Sequence, residues 1–201
     1  MIKIFGKIPR NVTLAVSGGP DSMAILDFLK NNHNVTVAHF DHGTEHGEEC
    51  KYFVKKYCEN LDIPFILGIN FNGKPKEKSL EEHWRDERYK FFHSFDEPVI
   101  TGHNLDDVME WYLFSSIHGK GKIIPYSNKN VIRPFILTPK RDLSDWCERK
   151  SVPFLLDPGN EDKKFMRSII RHELLPNARL INPGIEKTVK KMIEKSYNES
   201  S

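Results

Sequence analysis

The hexapeptide SGGPDS, residues 17–22, follows an apolar run and combines two glycines with two hydroxyls and a carboxylate. Glycines let the backbone approach a ligand closely, and the open amides at a helix start attract anions. The residue types therefore predict a phosphate-binding loop. It has neither the GxxxxGK[ST] pattern of Walker sites nor the GxGxxG pattern of dinucleotide folds, so the sequence supports neither of those nucleotide-binding modes. Gly18, Gly19 and the hydroxyls of Ser17 and Ser22 are the groups suited to an anion.

A second constellation consists of His103, Asp106, Asp107 and Glu110, spaced i, i+3, i+4 and i+7. If the segment is helical, these side chains share one face. Neighbouring acids on a helix repel each other by ~0.2–0.5 kcal/mol per pair, which favours a function over an idle surface. The carboxylates can bind Mg²⁺ or hold a cationic amine, whereas one His and no Cys disfavour zinc.

Further candidate binding residues are four basic side chains and two residues at the end of a predicted strand. Guanidinium groups suit bidentate contact with phosphate. Asp41 and His42 follow the second predicted strand, and we expect them to contact the nucleoside or the substrate. The candidates for phosphate or adenylate contact are Arg133, Arg167, Arg171 and His172.

These residues need elements to position them, and strand-like and helical segments alternate along the chain. The pattern predicts an α/β fold: a doubly wound, mainly parallel five-stranded sheet with helices on both faces, followed by a short helical C-terminal segment. In such sheets ligands bind where the carboxyl ends of strands meet, here the first, second and fourth. The predicted strands are 12–18, 35–41, 64–70, 98–104 and 131–136.

Local signals place several helices. Ser79 with Glu82 three residues later forms a capping-box signature, and Thr138 before Pro139 predicts another helix start. Cys50 and Cys58 lie on an apolar stripe of helical spacing, so we expect them to be core residues. We place a nucleotide-binding domain at residues 1–137 and a basic helical extension at 138–201.

Composition limits the class of protein. The chain has 201 residues, 38% of them hydrophobic and 29% charged, as in ordinary globular proteins. No apolar stretch approaches the ~18 residues of a membrane span, so we expect no membrane association and a cytoplasmic location. Three cysteines without a CxxC pair indicate neither a disulfide framework nor a zinc ribbon.

The charge distribution leaves two interpretations open. The net charge is only +2, but residues 163–195 contain nine Lys and Arg against three Glu. Such a basic segment on an acidic body can contact RNA. A solvated helix face accounts for the charge equally well.

The hexapeptide resembles the SGGxDS pyrophosphate loop of the N-type ATP pyrophosphatases, which have the adenine nucleotide alpha hydrolase-like fold. The resemblance implies that the loop binds the pyrophosphate of ATP through the matching positions Ser17, Gly18, Gly19, Asp21 and Ser22. Later stretches resemble one branch, the tRNA(Ile)-lysidine synthetases, in the order of that family. These are AHFDHG at 38–43, EEHWRDERYKFF at 81–92, HxxDDxxE from His103, VIRPFI at 131–136 and LLDPGNEDKKFMRSIIRHELLP at 155–176.

This resemblance implies a reaction. ATP adenylates the C2 oxygen of the wobble cytidine in a CAU-anticodon tRNA(Ile), releasing pyrophosphate, and the ε-amine of free lysine displaces AMP. The cofactors implied are ATP and Mg²⁺, with Asp21 and Asp106 as metal ligands. The resemblance also places Arg88 with Tyr89 near the nucleobase, and we expect Glu110, one of the acids spaced along the helix, to contact the substrate.

The amine step requires a base. Free lysine has an ammonium pKa of ~10.4, so about one molecule in a few thousand is nucleophilic at neutral pH. Asp107 and His103 are the candidates, and their spacing does not decide between them. We expect Asp106 and Arg171 to complete the catalytic group.

The sequence also departs from the family. Ser168 follows Arg167 where the family usually has Asn, and larger members carry C-terminal domains that help to recognise tRNA. We expect a form reduced to its catalytic domain, in which tRNA selection depends on this domain, a homodimer or a helper protein. The alternatives are a tRNA thiolase, disfavoured by the lack of CxxC, another adenylating enzyme, and an inactive nucleotide-binding protein.

Overall fold

The computed structural model describes residues 1–70, 73, 75–157 and 166–200, and its centre is a six-stranded sheet. The strand order is β3-β2-β1-β4-β6-β5, and all pairs are parallel except β5 with β6. This confirms the α/β, mainly parallel fold. The strands are β1 (Asn11–Ala15), β2 (Asn34–Asp41), β3 (Phe65–Ile69), β4 (Val99–Ile100), β5 (Ser127–Asn128) and β6 (Val131–Ile132).

The prediction of five strands was wrong by one. The additional strand, β5, has two polar residues and turns into β6 through Lys129, whose φ is +54°. Such a short polar hairpin leaves no apolar run in the sequence. The five predicted strands are all present, but β4 and β6 have only two residues each.

Helices cover the sheet, and several helices follow it at the C-terminus. Pro20 stands in the first turn of α1, where its missing amide hydrogen costs no hydrogen bond. Among the described residues, no helix is both long and apolar enough to cross a membrane. The helices are α1 (Pro20–Leu29), α2 (Glu45–Glu59), α3 (Leu80–His93), α4 (Leu105–Ile117), α5 (Lys140–Lys150), α6 (Met166–Ile169), the π-helical segment Ile170–Leu174, α7 (Leu175–Ile181) and α8 (Ile185–Ser200).

The sheet reverses its winding direction between β1 and β4. β1 pairs with β2 on one side, with Ala15 opposite Ala38, and with β4 on the other, with Leu14 opposite Ile100. The carboxyl ends of β1, β2 and β4 are therefore adjacent, as expected. Ligands bind at such a switch point in this class of sheet.

The helix-capping predictions had different outcomes. The Ser79 hydroxyl accepts the Glu82 amide at 3.1 Å, which confirms the start of α3. The expected cap at Thr138 was wrong, because α5 begins at Lys140. The Thr138 hydroxyl instead donates to the Lys3 carbonyl at 2.8 Å and accepts the Lys3 amide at 3.0 Å.

Two apolar cores hold the helices in place. The first joins β1, β2 and α1 to α2 and α5, and its members include Cys58 and Cys147. All three cysteines are buried and free, as expected for core residues. The second core packs α4 on α7 and α8 through Met109, Leu175 and Ile193. The C-terminal helices thus lie directly on α4, while a domain division at residue 138 stays a prediction.

Gly68→Ala tests how closely α3 packs on the sheet. A Cβ at Gly68 would lie 2.7 Å from Cγ of Phe91 on α3, so that ring or the helix must move. We expect the free energy of unfolding to fall by about 1–3 kcal/mol in urea denaturation, because overpacking strains a close-packed interface. Gly73→Ala is the control, since no heavy atom lies within 4 Å of its Cβ position. Equal stability of the two variants would contradict the prediction.

Candidate active site

The loop between β1 and α1 is held by its own hydroxyls. Ser22 Oγ donates to the Gly19 carbonyl at 3.0 Å and accepts the Ser17 amide at 3.2 Å. Gly18 has a φ of +96°, a conformation that side chains disfavour. Gly19 is the N-cap of α1 and has no side chain to cap it, so an anion can approach the first amides of the helix.

Three helix starts converge beside this loop. Asp21 on α1 accepts the Asn104 side-chain amide at 3.2 Å, and its Oδ2 lies 3.6 Å from Lys140 Nζ at the start of α5. Burial raises the pKa of Asp21, although Lys140 opposes the shift. Asp21 Oδ1 is buried and has no hydrogen-bond partner among the described residues.

Asp107 closes the first turn of α4. Its Oδ2 accepts the Asn104 backbone amide at 2.9 Å, while Asn104 Oδ1 accepts the Asp107 amide at 3.1 Å, a reciprocal capping box. Burial raises the pKa of Asp107 to about 7, and the negative charges of Asp21 and Glu110 act in the same direction. This carboxyl group therefore changes its protonation state near neutral pH.

His103 does not share the helical face of the acids, contrary to expectation. The helix begins at Leu105, so His103 lies in the preceding loop, with its Nδ1 2.8 Å from the Thr101 hydroxyl. Burial lowers the pKa of His103 to about 3, and the charges of Arg133 and Arg88 add to the effect. The imidazole is therefore neutral at physiological pH.

Asp106 joins three helices. Its Oδ2 accepts the Lys140 backbone amide at 2.8 Å at the start of α5, and its Oδ1 accepts Arg179 Nη2 on α7 at 2.7 Å. Arg179 also contacts Glu186 on α8 at 3.1 Å. Both oxygens of Asp106 thus position elements, and its expected role toward a metal or substrate stays a prediction.

Glu110 and Arg171 form a bidentate pair. Arg171 Nε donates to Glu110 Oε1 at 2.7 Å and Nη2 donates to Oε2 at 3.0 Å. The hydrogen bond to Glu110 raises the pKa of Arg171. Arg171 lies on the π-helical segment, a geometry often found at functional sites. His172 is the next residue and is exposed.

The expected arginines gather around His103. Arg133 is buried and donates to the Tyr89 hydroxyl at 2.8 Å and to the Pro125 carbonyl at 2.9 Å, which leaves its Nε without a partner among the described residues. Burial lowers the pKa of Arg88, for which the described part of the chain provides no hydrogen bond or ion pair. Arg167 is exposed, and its positive charge also reaches His103.

Asp41 and His42 lie at the end of β2. Burial opposes ionisation of Asp41, but the Gly43 amide at 2.8 Å and Lys51 at 3.1 Å hold its pKa below the usual value. Burial lowers the pKa of His42 to about 4, and its ring centroid lies 5.2 Å from that of Trp84. The Asp41 carboxylate shapes its own loop, while the buried His42 Nδ1 is left without a described partner.

The structure thus brings most predicted residues into two adjacent groups. An acidic group contains Asp21, Asp107 and Glu110, and a cationic group surrounds His103. Sequence reasoning missed Asn104 and Lys140. The capping box from Asn104 to Asp107 was a signal for the first, whereas the approach of Lys140 to Asp21 joins residues far apart in the chain and has no local signal. Within the described ranges, no three His, Cys, Asp or Glu side chains assemble into a metal cage.

Comparisons with known proteins show the family of the chain. Residues 3–178 match the family model described as a PP-loop domain. The chain is 31% identical to the tRNA(Ile)-lysidine synthases of Thermosipho africanus and of Prochlorococcus marinus, in each case over 94% of this chain. Those alignments cover 49% and 63% of the relatives, so the chain spans about half to two thirds of their length.

A solved structure shares the fold. The NH3-dependent NAD synthetase from Campylobacter jejuni superposes with a TM-score of 0.52 at 15% identity. The superposition covers 96% of this chain and 86% of that chain. At this identity the likeness concerns the fold alone.

Asp107→Asn tests the raised pKa of this half-buried carboxyl. The unfolded chain ionises Asp107 near 3.8 and the folded protein at about 7, so the folded state holds the extra proton between these values. The wild type therefore loses stability from this group as pH rises from about 4 to about 7. Asn keeps an oxygen for the Asn104 amide but does not ionise. We expect the variant to gain a few kcal/mol over the wild type across this interval, measured by urea denaturation.

The control for this comparison is Asp96→Asn, at an exposed position outside the site. Its free energy of unfolding should follow the wild type at every pH. A difference between Asp107→Asn and the wild type that does not change with pH would show that the carboxyl ionises normally.

Proposed function

The chain belongs to the PP-loop domain family, and from that premise we propose that it is an ATP-dependent ligase that joins lysine to the wobble cytidine of a CAU-anticodon tRNA(Ile). One observation carries the proposal: a half-buried carboxyl with a pKa of about 7, that of Asp107, lies beside the glycine loop and a cationic group. Such a carboxyl is suited to accept a proton at neutral pH.

The ATP half of the reaction uses the loop and the start of α1. The pyrophosphate leaving group lies against Gly18 and Gly19, between the hydroxyls of Ser17 and Ser22. The open amides of α1 and the Lys140 ammonium neutralise the negative charge that develops as the bond between the α and β phosphates breaks.

Of the two carboxylates expected to bind Mg²⁺, one has an oxygen available for the ion. Mg²⁺ commonly takes one or two protein carboxylates together with waters and substrate phosphates. Asp21 Oδ1, buried and without a described partner, suits this role. Asp106 already uses both oxygens, for Lys140 and Arg179, and would have to give up one bond. The ion would supply charge neutralisation on the phosphates.

The cytidine half uses the cationic group. Arg88 lacks a described anionic partner, and Arg133 holds the Tyr89 hydroxyl, so both side chains are positioned beside His103. Neutral His103 adds no charge to this region and offers one ring nitrogen for hydrogen bonding. We place the nucleobase here, with Arg167 toward the RNA backbone.

In the step that joins lysine to the cytidine, Asp107 is the proton acceptor. The lysine nitrogen attacks C2 of the adenylated cytidine, the N–C2 bond forms, the bond between C2 and the adenylate oxygen breaks, and AMP leaves. The proton of the amine passes to the Asp107 carboxylate. His103 is the weaker candidate because its pKa of about 3 makes it a poor proton acceptor.

Sulfur transfer, the alternative within the same superfamily, finds little support. Burial raises the pKa of Cys50, and raises those of Cys58 and Cys147 to about 11. The thiolate needed for such chemistry is therefore disfavoured at all three positions. Three further expectations stay predictions: contact of the basic C-terminal extension with RNA, a homodimer or helper protein, and a cytoplasmic location.

The test is mass spectrometry of nucleosides from a CAU-anticodon tRNA incubated with protein, Mg-ATP and lysine. A lysine adduct on cytidine that requires both ATP and lysine is the expected result. Pyrophosphate release without an adduct would contradict the choice of amine or RNA. Folded protein that gives neither product would favour the inactive nucleotide-binding alternative.

Asp107→Asn should separate the two half-reactions. Without a proton acceptor, adduct formation should fall by about 10²- to 10⁴-fold, while tRNA-dependent pyrophosphate release continues. Parallel assays of pyrophosphate and modified nucleoside measure the two steps. Asp96→Asn is the control and should retain both. Equal loss of the two steps in Asp107→Asn would contradict the role as base.

A further inference from the structure

Three aromatic rings form a ladder along α4 that the proposed chemistry does not use. The ring centroids of Trp111 and Phe114 lie 5.5 Å apart with planes inclined by 27°, and those of Phe114 and His118 lie 4.4 Å apart at 37°. Trp111 and Phe114 are half-buried and His118 is exposed. Among the described residues, the buried apolar clusters include none of the three.

The ladder leads to the proposed catalytic carboxyl. Asp107, Trp111, Phe114 and His118 are spaced i, i+4, i+7 and i+11, which places them on one stripe of an α-helix. With a rise of about 1.5 Å per residue, the stripe extends about 16 Å from Asp107 to His118. A strand of nucleotides can therefore follow one surface from the outside to the reaction centre.

A rigid basic loop follows the ladder. Ser115 Oγ accepts the Lys122 amide at 2.7 Å and donates to the Lys122 carbonyl at 2.8 Å. The Ser115 carbonyl accepts the amides of Lys120 at 2.8 Å and Gly121 at 3.2 Å. Lys120 and Lys122 are exposed, and neither ammonium has an ion pair within the described ranges. The loop thus presents two available cations beside His118.

The surrounding sequence is strongly basic. Residues 111–141 contain no Asp or Glu, but six Lys and Arg: Lys120, Lys122, Lys129, Arg133, Lys140 and Arg141. Arg133 is buried and Lys140 lies 3.6 Å from Asp21, but the other four cations are exposed, and exposed cations attract a polyanion. Stacked rings combined with available cations are the features by which proteins bind single-stranded nucleic acid.

We propose that this ring ladder, defined as Trp111, Phe114 and His118 with Lys120 and Lys122, binds single-stranded RNA. Bases stack on the rings, and the two ammonium groups contact phosphates. The proposal rests on the proposed function for its choice of RNA, and it adds the surface that delivers the loop nucleotides to Asp107. Single strands fit better than a duplex because their bases are free to stack on side chains.

The test measures binding of fluorescent single-stranded RNA with the anticodon-loop sequence, without ATP or lysine. Phe114→Leu keeps apolar volume but cannot stack, and we expect a loss of affinity of about 5- to 100-fold, as for one stacked base. His118→Ala, at an exposed position, should also weaken binding. Unchanged affinity in both variants would overturn the proposal.

The lysines are tested through salt dependence. Each phosphate that a cation neutralises on a single strand adds about 0.7 to the slope of log K against log salt, so replacing Lys120 and Lys122 together by Gln should reduce that slope by about 1.4. Lys55→Gln with Lys56→Gln, at exposed positions on α2, changes the net charge equally and is the matched control. Equal slopes in the two double variants would overturn the assignment of these cations.

The experiments distinguish an error in the ring-ladder proposal from an error in the proposed function. If the wild type forms the lysine adduct and the ladder variants bind RNA as well as the wild type, the ladder is wrong and the function stands. If the wild type forms no adduct but binds single-stranded RNA through the ladder, the surface stands and the chemistry is wrong.

Discussion

The carboxylate of Asp106 holds the architecture of the site together. One oxygen caps the first amide of α5 and the other accepts Arg179 of α7, so a single side chain on α4 fixes helices that are distant in sequence. Lys140 is positioned by the same contact, because its backbone amide is the group that Asp106 accepts. Without that anchor, nothing in the local sequence would direct the Lys140 ammonium toward Asp21.

Burial next to this anchor determines the proton chemistry. Asp107 follows Asp106 directly, and desolvation of its half-buried carboxyl raises its pKa to about 7. His103 is also half-buried, and desolvation lowers its pKa to about 3. One physical cause thus lowers the pKa of the imidazole and raises that of the carboxyl, which is why we propose Asp107 rather than His103 as the base. The spacing of residues in the sequence carries no information on this difference.

Local patterns in the sequence predicted what local physics determines. The parallel sheet, the phosphate loop at its switch point and the Ser79 cap follow from apolar runs, glycines and capping residues. The contacts of Asp106 and Lys140 could not be predicted, because they join residues 34 positions apart at the ends of two helices. The two-residue strand β5 was missed for a related reason, since pairing with β6 rather than composition makes it a strand.

The π-helical segment has a geometric consequence for the C-terminal helices. In an uninterrupted α-helix, Arg171 and Arg179 would point about 80° apart, because each residue turns the chain by about 100°. The wider turn at Ile170–Leu174 accommodates about one extra residue and brings the two guanidinium groups back into phase. Glu110 and Asp106, one turn apart on α4, can then each receive one of them. The π-helical segment thus places Arg171 and Arg179 on the same side of the C-terminal helices, with a spacing that matches Glu110 and Asp106 on α4.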